Sequence, residues 1–191
     1  MNPTDIEGWM REKELIWLSK EAKKCKLIVE VGTWCGRSTY AMALKVRRKI
    51  ITIDSFLMKG VPYKRWDIAR IASTHLKDDP DWLYNKCLEN LAEFIKTGKV
   101  IVLRGESSEV IRKLDHLKGH VDMVFIDGSH DYESVKQDII NYKPLVKKGG
   151  ILAGHDFGYQ VQQAVEELLP GYKIARNTSI WTWGNNDQNN H

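Results

Sequence analysis

The chain has 191 residues, 42% of them hydrophobic, and a formal net charge of +4. That is enough apolar material for one domain with a buried core, and too even a charge balance to suggest a nucleic-acid partner. No apolar run reaches the roughly 18 residues of a membrane span, and the opening MNPTDIEGWMREKELIW carries acids where a secretory leader would be apolar, so no membrane association is expected.

Thr4 and Glu7 have the spacing of a capping box. This predicts an N-terminal helix within residues 1–25, running to about Lys24, with Ile6, Trp9, Met10, Ile16, Trp17 and Leu18 on its apolar side. Such a helix would cover the sheet or overhang a ligand mouth. Strand and helix patterns then alternate. LIVEV is followed by a helix from Arg37 to about Arg47, KIITID, a long insert over 56–79, and a helix from about Pro80 to Lys96. VIVLRGE, a short helix around Ser108–Leu114, VDMVFIDG, a helix from Tyr132 to Val146, GILAGHD and a helix from Gln160 to Leu169 complete the alternation. Near-continuous apolar strands between helices predict an α/β fold: a doubly wound, Rossmann-like, mostly parallel sheet with helices on both faces.

The closing runs YKIA and SIWTW are separated only by Arg176-Asn177-Thr178, short enough for an antiparallel hairpin. Trp181 and Trp183 alternate onto one face and suit core or interface packing. The insert is longer than an ordinary connection. Its Tyr63, Arg65 and Trp66 fit a lid or substrate wall, while Ile68, Ile71 and Leu76 fit an ordinary helix packed on the sheet. The polar tail, 186–191, is expected to fray. All of 1–191 reads as a single domain. Cys25, Cys35 and Cys87 lack C-x-x-C spacing, which argues against a disulfide framework or structural zinc and for a reducing, cytoplasmic setting. Cys35 reads as buried packing before reactive thiol.

Lys26–Tyr40, KLIVEVGTWCGRSTY, carries the most information. A buried strand runs through Glu30 and Val31 into Gly32, then into a tight loop through Thr33, Trp34 and Gly36, and then into a helix beginning near Ser38. Backbone N–H groups at such a helix start point at whatever occupies the loop. Gly32 and Gly36 carry no Cβ and allow a sharp turn with close approach of a ligand. Asp54, at the end of the next strand and 22 positions after Gly32, is placed to hydrogen-bond a ribose hydroxyl. The segment therefore suits a nucleoside-containing cofactor. It is not the G-x-G-x-x-G of a dinucleotide site, and no G-K-[ST] follows to make a P-loop.

E-x-G-x-x-x-G, as it stands in Glu30–Gly36, resembles motif I of the class I S-adenosylmethionine (SAM) methyltransferases. The similarity is to the catechol-type O-methyltransferases and to the metal-dependent sugar and macrolide O-methyltransferases, and covers about residues 26–157. It implies SAM contacts from Glu30, Gly32, Thr33, Trp34, Gly36, Ser38, Asp54, Ser55, Gly105, Glu106, Ser107 and Asp127. Ser38 would hold the cofactor's carboxylate, Asp54 its ribose and Glu106-Ser107 its adenine edge. Glu30 would take the amino end or stabilise the loop. Ser107 equally fits a helix N-cap.

FIDGSHDY is the second decisive segment. In the resemblance, Asp127 falls on the metal-ligating aspartate, and His130 falls where the catalytic base sits. A divalent cation such as Mg or Mn held by Asp127 and Asp156, at adjacent strand ends about 5 Å apart, would lower the pKa of an acceptor hydroxyl, and His130 would take its proton. Asp127 also fits a helix N-cap, and His130 a helix-start histidine bonded to backbone. His155 departs from the family pattern, which has Asp-Asn or Glu-Asp where this chain has His155-Asp156. As a ligand beside Asp127 and Asp156 it would favour Mn, Fe, Co, Ni or Zn over Mg. Consecutive strand residues point to opposite faces, which works against both reaching one ion.

The function implied is SAM-dependent O-methylation of a hydroxyl on a small molecule, a sugar or aromatic metabolite. Two alternatives use the same residues: a non-haem-iron hydroxylase-like enzyme built on His130, His155 and one carboxylate, and a non-catalytic SAM-binding module. The acceptor, the metal, O- versus N-methylation and any homo-oligomer are left open by the sequence.

Overall fold

The computed structural model describes residues 1–57, 74–75 and 79–185. Seven strands form one sheet in the order β3-β2-β1-β4-β5-β7-β6. They are β1 (Leu27–Val31), β2 (Lys49–Asp54), β3 (Val100–Arg104), β4 (Val121–Ile126), β5 (Val146–Gly154), β6 (Lys173–Ile174) and β7 (Trp181–Gly184). β1 to β5 are mutually parallel, and β7 runs antiparallel to both β5 and β6. The doubly wound sheet and its closing hairpin are those predicted.

The apolar strands alternate between two buried layers, as the period-2 pleat requires. Ile28 and Ile50 pack into one layer, beneath α1 (Glu12–Ala22), α2 (Arg37–Ala43) and α3 (Trp82–Lys96). Val29, Val31, Ile51 and Ile53 pack into the other, beneath α5 (Tyr132–Tyr142) and α6 (Tyr159–Leu168). Trp181 is fully buried in that second layer and Trp183 packs against it, the core role their spacing suggested. Cys35 is buried, as expected. Between β3 and β4 a single α turn, α4 (Ser107–Val110), runs into a 3-10 stretch, Ile111–Leu117. No helix among the described residues is long and apolar enough to cross a membrane.

The N-terminus departs from the sequence expectation. Asn2 and Asp5 cap a short 3-10 turn, Pro3–Asp5, and the chain turns extended at Ile6. α1 begins only at Glu12, with the Glu14 carboxylate accepting from the Arg11 backbone N–H at 2.8 Å. Capping boxes thus stand on either side of the Thr4–Glu7 spacing. The reason lies across the cleft: the Arg37 guanidinium donates to the carbonyls of Thr4 and Gly8. A continuous helix would have kept those carbonyls for itself.

Candidate active site

The parallel register brings the strand ends level, with Val31 opposite both Ile53 and Ile126, and Ile126 opposite Gly154. The ladder continues one residue beyond each end. Gly32 N–H donates to Ile53 at 2.8 Å, Asp127 to Val31 at 2.7 Å, Gly105 to Asp54 at 2.9 Å and His155 to Ile126 at 3.1 Å. Residues that carry the chemistry are therefore fixed by sheet hydrogen bonds. They border one cleft of about 1000 Å³ along this edge. Gly32, Thr33, Trp34, Ser38, Asp54, Ser55, Gly105, Glu106, Ser107, Asp127, His130, His155 and Asp156 all line it. Glu30 and Gly36 stand behind the wall.

Gly32 is required by the chain itself. Its φ is +91°, and a Cβ there would lie 2.0 Å from the Asp127 carbonyl oxygen. The close approach predicted at this position is to the β4 loop. Gly36, at φ +90°, faces the Leu91 side chain, which a Cβ would meet at 3.0 Å. Asp54 also works within the loop: Oδ2 accepts from Thr33 and Trp34 N–H at 2.9 and 2.8 Å, and Oδ1 accepts from Phe56 N–H at 2.7 Å. Burial raises its pKa, and those three bonds offset part of the rise.

Glu30 is fully buried. Its Oε1 accepts from Ser38 Oγ at 2.5 Å, and its Oε2 accepts from Thr39 and, at 2.7 Å, from Thr52. Burial pushes its carboxyl up to about 7 despite three hydroxyl donors. It is thus the support behind the helix start, and Ser38 is the residue of that pair exposed to the cleft.

At the other side of the cleft Asp127, His130 and Asp156 converge, each offering a ligand atom within 4.8 Å of the others. His130 Nε2 is 3.2 Å from Asp156 Oδ2 and 3.7 Å from Asp127 Oδ1. The hydrogen bond with Asp127 raises its pKa above the usual value, against burial. Asp127 is not a helix cap, because Asp131 takes that position and accepts from Ser134 N–H at 3.0 Å. Nor is Ser107 the cap of α4; Glu106 occupies that position, and Ser107 Oγ donates to Asp138 at 2.6 Å.

His155 and Asp156 both reach Asp127, contrary to the strand-alternation expectation. β5 ends at Gly154, and Asp156 has φ +51°, so the pleat no longer applies. His155 Nδ1 lies 3.5 Å from Asp127 Oδ1 and 3.4 Å from Asp156 Oδ1. Its Nε2 faces away, 3.2 Å from Glu14 Oε2 and 3.0 Å from Ser179 Oγ. Burial works against a charge on this ring, but the Asp127 and Asp156 carboxylates hold it up to about 11.

Sequence reasoning missed several residues. Gly8, Trp9, Met10 and Arg11 form one wall of the cleft, and Trp9 packs on Trp34 with ring centroids 5.0 Å apart. Glu14 is buried and bonded to Arg11 and Ser179, and those bonds outweigh its desolvation to keep it well below the usual carboxylate range. Glu14 and Asp138 were detectable, since each is an acid standing in phase with a buried apolar stripe: Leu15, Leu18 and Ala22 for the first, Val135, Ile139 and Tyr142 for the second. Of the insert, Phe56, Leu57, Thr74, His75 and Asp79 are described, and the His75 ring stacks on Trp82 at 4.2 Å. Tyr63, Arg65, Trp66, Ile68, Ile71 and Leu76, like the tail 186–191, lie outside the described residues.

A 3-2-1-4-5-7-6 sheet, with a cleft along the carboxyl ends of its parallel strands, defines the Rossmann-like methyltransferase class. The chain belongs to the methyltransferase domain family Methyltransf_24, which matches residues 29–157, about two thirds of its length. Solved structures agree on the fold. A SAM-dependent O-methyltransferase from Thermotoga maritima superposes with TM-score 0.64 at 14% identity, covering 98% of this chain and 70% of that one. The O-methyltransferase from Bacillus cereus in complex with S-adenosylhomocysteine (SAH) gives 0.59 at 15%, covering 94% and 84%. A TDP-rhamnose 3'-O-methyltransferase of calicheamicin biosynthesis gives 0.61 at 16%, covering 92% and 81%.

Proposed function

We propose that this protein transfers a methyl group from SAM to a hydroxyl of a small-molecule acceptor, with a divalent cation at Asp127 and Asp156. The observation that carries this reading is the convergence of Asp127, His130 and Asp156 on the same cleft that Gly32, Trp34 and Ser38 line. The cleft fits the cofactor in size and in polar lining: Thr33, Ser38, Asp54, Glu106 and Ser107 all border it. Two carboxylates at adjacent strand ends fit a divalent ion of the Mg or Mn kind, with the His130 imidazole beside them left free to act as base.

When bound, SAM supplies an electrophilic methyl on a sulfonium, and the cation lowers the pKa of the acceptor hydroxyl. The rest is done by side chains. Asp127 and Asp156, at two adjacent strand ends, would hold that cation. His130, half-exposed and beside both carboxylates, takes the hydroxyl proton on Nε2. That atom cannot ligate and accept the proton at once, so His130 is assigned as base. His155 holds the two aspartates in place through Nδ1, anchored by Glu14. Trp9, Met10 and Arg11 wall the acceptor side. A facial triad of two imidazoles and one carboxylate is less supported, because the group whose ligand atoms converge among the described residues is Asp127, His130 and Asp156, with one imidazole and two carboxylates.

The test is calorimetric titration of SAH, after chelator treatment and again with Mg²⁺ or Mn²⁺, paired with methyl transfer to catechol and sugar-nucleotide acceptors. Asp156→Asn is expected to bind SAH within about 3-fold of wild type and to lose about 100-fold or more in transfer. Absence of SAH binding under every condition would refute the reading. Full transfer by Asp156→Asn would remove the cation from it.

A further inference from the structure

A second concavity, of about 470 Å³, shares no lining residue with the cleft. It runs between α1, the Pro3–Asp5 turn and the end of α2. Leu15, Ile16 and Leu44 supply its apolar lining. Ile16 is 47% exposed and Leu44 44%, although the sequence pattern puts Ile16 on the apolar side of α1. Lys20, Lys23 and Lys45 border the same groove, against one acid, Glu12. The neighbouring Lys24 is paired with Glu21 at 2.6 Å, whereas none of those three lysines has a carboxylate partner among the described residues. Arg47, whose Nε donates to the Lys23 carbonyl at 3.0 Å, extends the positive surface beyond them. Ser19 Oγ already donates to the Ala41 carbonyl at 2.8 Å. What the groove offers a ligand is therefore mainly apolar surface and positive charge.

Single exposed apolar residues are ordinary, but two that line one concavity ringed by unpaired cations form a surface a partner can fill. Glu12, Ile16, Lys20 and Lys23 follow one another at i, i+4 and i+3 spacing, so the groove tracks one stripe of α1 for about 16 Å. That length suits a short helix laid alongside. We propose that this groove docks an acidic amphipathic segment of a partner protein. Its apolar side chains would seat against Ile16 and Leu44, and its carboxylates would meet Lys20, Lys23 and Lys45. The observations select this occupant over others. A concavity suits protruding side chains better than the flat surface of a bilayer. Three cations match several carboxylates, where a fatty acid carries one. Apolar lining gives a nucleic-acid backbone nothing to bind. A second copy of this chain would bring a net charge of +4 to a surface that is already positive.

The probes are amphipathic peptides about 12 residues long, with Leu and Phe at i, i+4 spacing among glutamates. One control set carries lysine for glutamate, and another carries serine for Leu and Phe. Binding to the full chain is read by fluorescence anisotropy between about 0.05 and 0.5 M NaCl. Laurate and phosphatidylserine-containing vesicles are tested as competing occupants. The acidic amphipathic peptides are expected to bind, more weakly as salt rises, and both control sets to bind about 10-fold more weakly or worse. The double variant Lys20→Glu, Lys45→Glu should lose about 10-fold or more, and Leu44→Ser about 5-fold. The charge-reversed protein should in turn prefer the lysine peptides, which an unfolded variant could not do. Absence of binding by every acidic peptide would overturn the proposal. So would equal binding of either control set, or wild-type affinity in both the double variant and Leu44→Ser. Tighter binding of laurate or of the vesicles than of any peptide would assign the groove to lipid and overturn it as well.

Discussion

Glu30→Gln tests whether a charge can be held behind the cofactor loop. Glu30 has no exposed surface, and its carboxylate accepts from Ser38, Thr39 and Thr52. Desolvation of a buried carboxylate amounts to several kcal/mol, and each hydroxyl bond to it returns roughly 1.5–3 kcal/mol. The balance puts the folded carboxyl at about 7 against 4.5 in the unfolded chain, so ionised Glu30 costs about 3 kcal/mol. A raised folded pKa means that the folded state binds the proton more tightly. Its contribution to stability is therefore fully present below the unfolded value and is lost as pH rises through about 7. Gln cannot ionise, so the stability of Glu30→Gln minus that of wild type should rise by roughly 2–3 kcal/mol between pH 5 and pH 8. Groups common to both proteins cancel in that difference. The assay is urea unfolding of both proteins at the two pH values, with m checked for constancy. An equal difference at pH 5 and pH 8 would refute the reasoning and mean that the three hydroxyls hold Glu30 charged.

Gly32→Ala puts a Cβ 2.0 Å from a backbone carbonyl and should destabilise by about 3 kcal/mol, roughly 6–12 °C in Tm. Gly36→Ala, where the neighbour is the Leu91 side chain, should lose less in the same melt, and the reverse order would contradict the assignment of Gly32 to the β4 loop. Glu14→Ala leaves Arg11, Ser179 and His155 Nε2 without their shared acceptor. It is expected to lower the unfolding free energy by about 3 kcal/mol, read from the urea midpoint; a loss below about 1 kcal/mol would mean that solvent reaches this pair.

What the sequence disclosed followed from backbone periodicity. Apolar strands alternating with helices defined the sheet, and polar residues after five strands marked one edge as the site. The hairpin of YKIA and SIWTW came from the three-residue connection between them, and the packing of Trp181 from period-2 alternation. What it concealed depends on contacts between distant segments. Thr4–Glu7 satisfies a capping pattern, yet Arg37, distant in sequence, takes the carbonyls a helix would need. Ser107 has the residue type of an N-cap, yet a carboxylate on the facing helix takes its hydroxyl. Asp156 escapes strand alternation through a positive φ that no local pattern announces. The buried acids were more legible than their partners: Glu14, Glu30 and Asp138 each interrupt an apolar stripe in phase, a placement tolerated only where donors or a ligand await it.

Ser179, His155 and Asp127 have nearly the separations of a hydrolytic triad, 3.0 Å from hydroxyl to Nε2 and 3.5 Å from Nδ1 to carboxylate. The protons are in the wrong places for one. With no cation on them, Asp127 and Asp156 favour the protonated His155 ring, which then has no lone pair for the serine proton. Ser179 already donates that proton to Glu14 Oε1 at 3.0 Å, and its backbone N–H donates to the same oxygen at 3.1 Å. A base must be unprotonated and within reach of its proton, and here only the distance is met. What remains is a chain of alternating charge: Arg11, Glu14, His155, then Asp127 and Asp156. It ties the first turn of α1 to the ends of β4 and β5, and its central pair, Glu14 and His155, is buried, where such pairs are least screened. The wall formed by Gly8–Arg11 is thereby fixed to the carboxylates at the ends of β4 and β5, so under the proposed function acceptor choice and the geometry of transfer would be set by the same contacts.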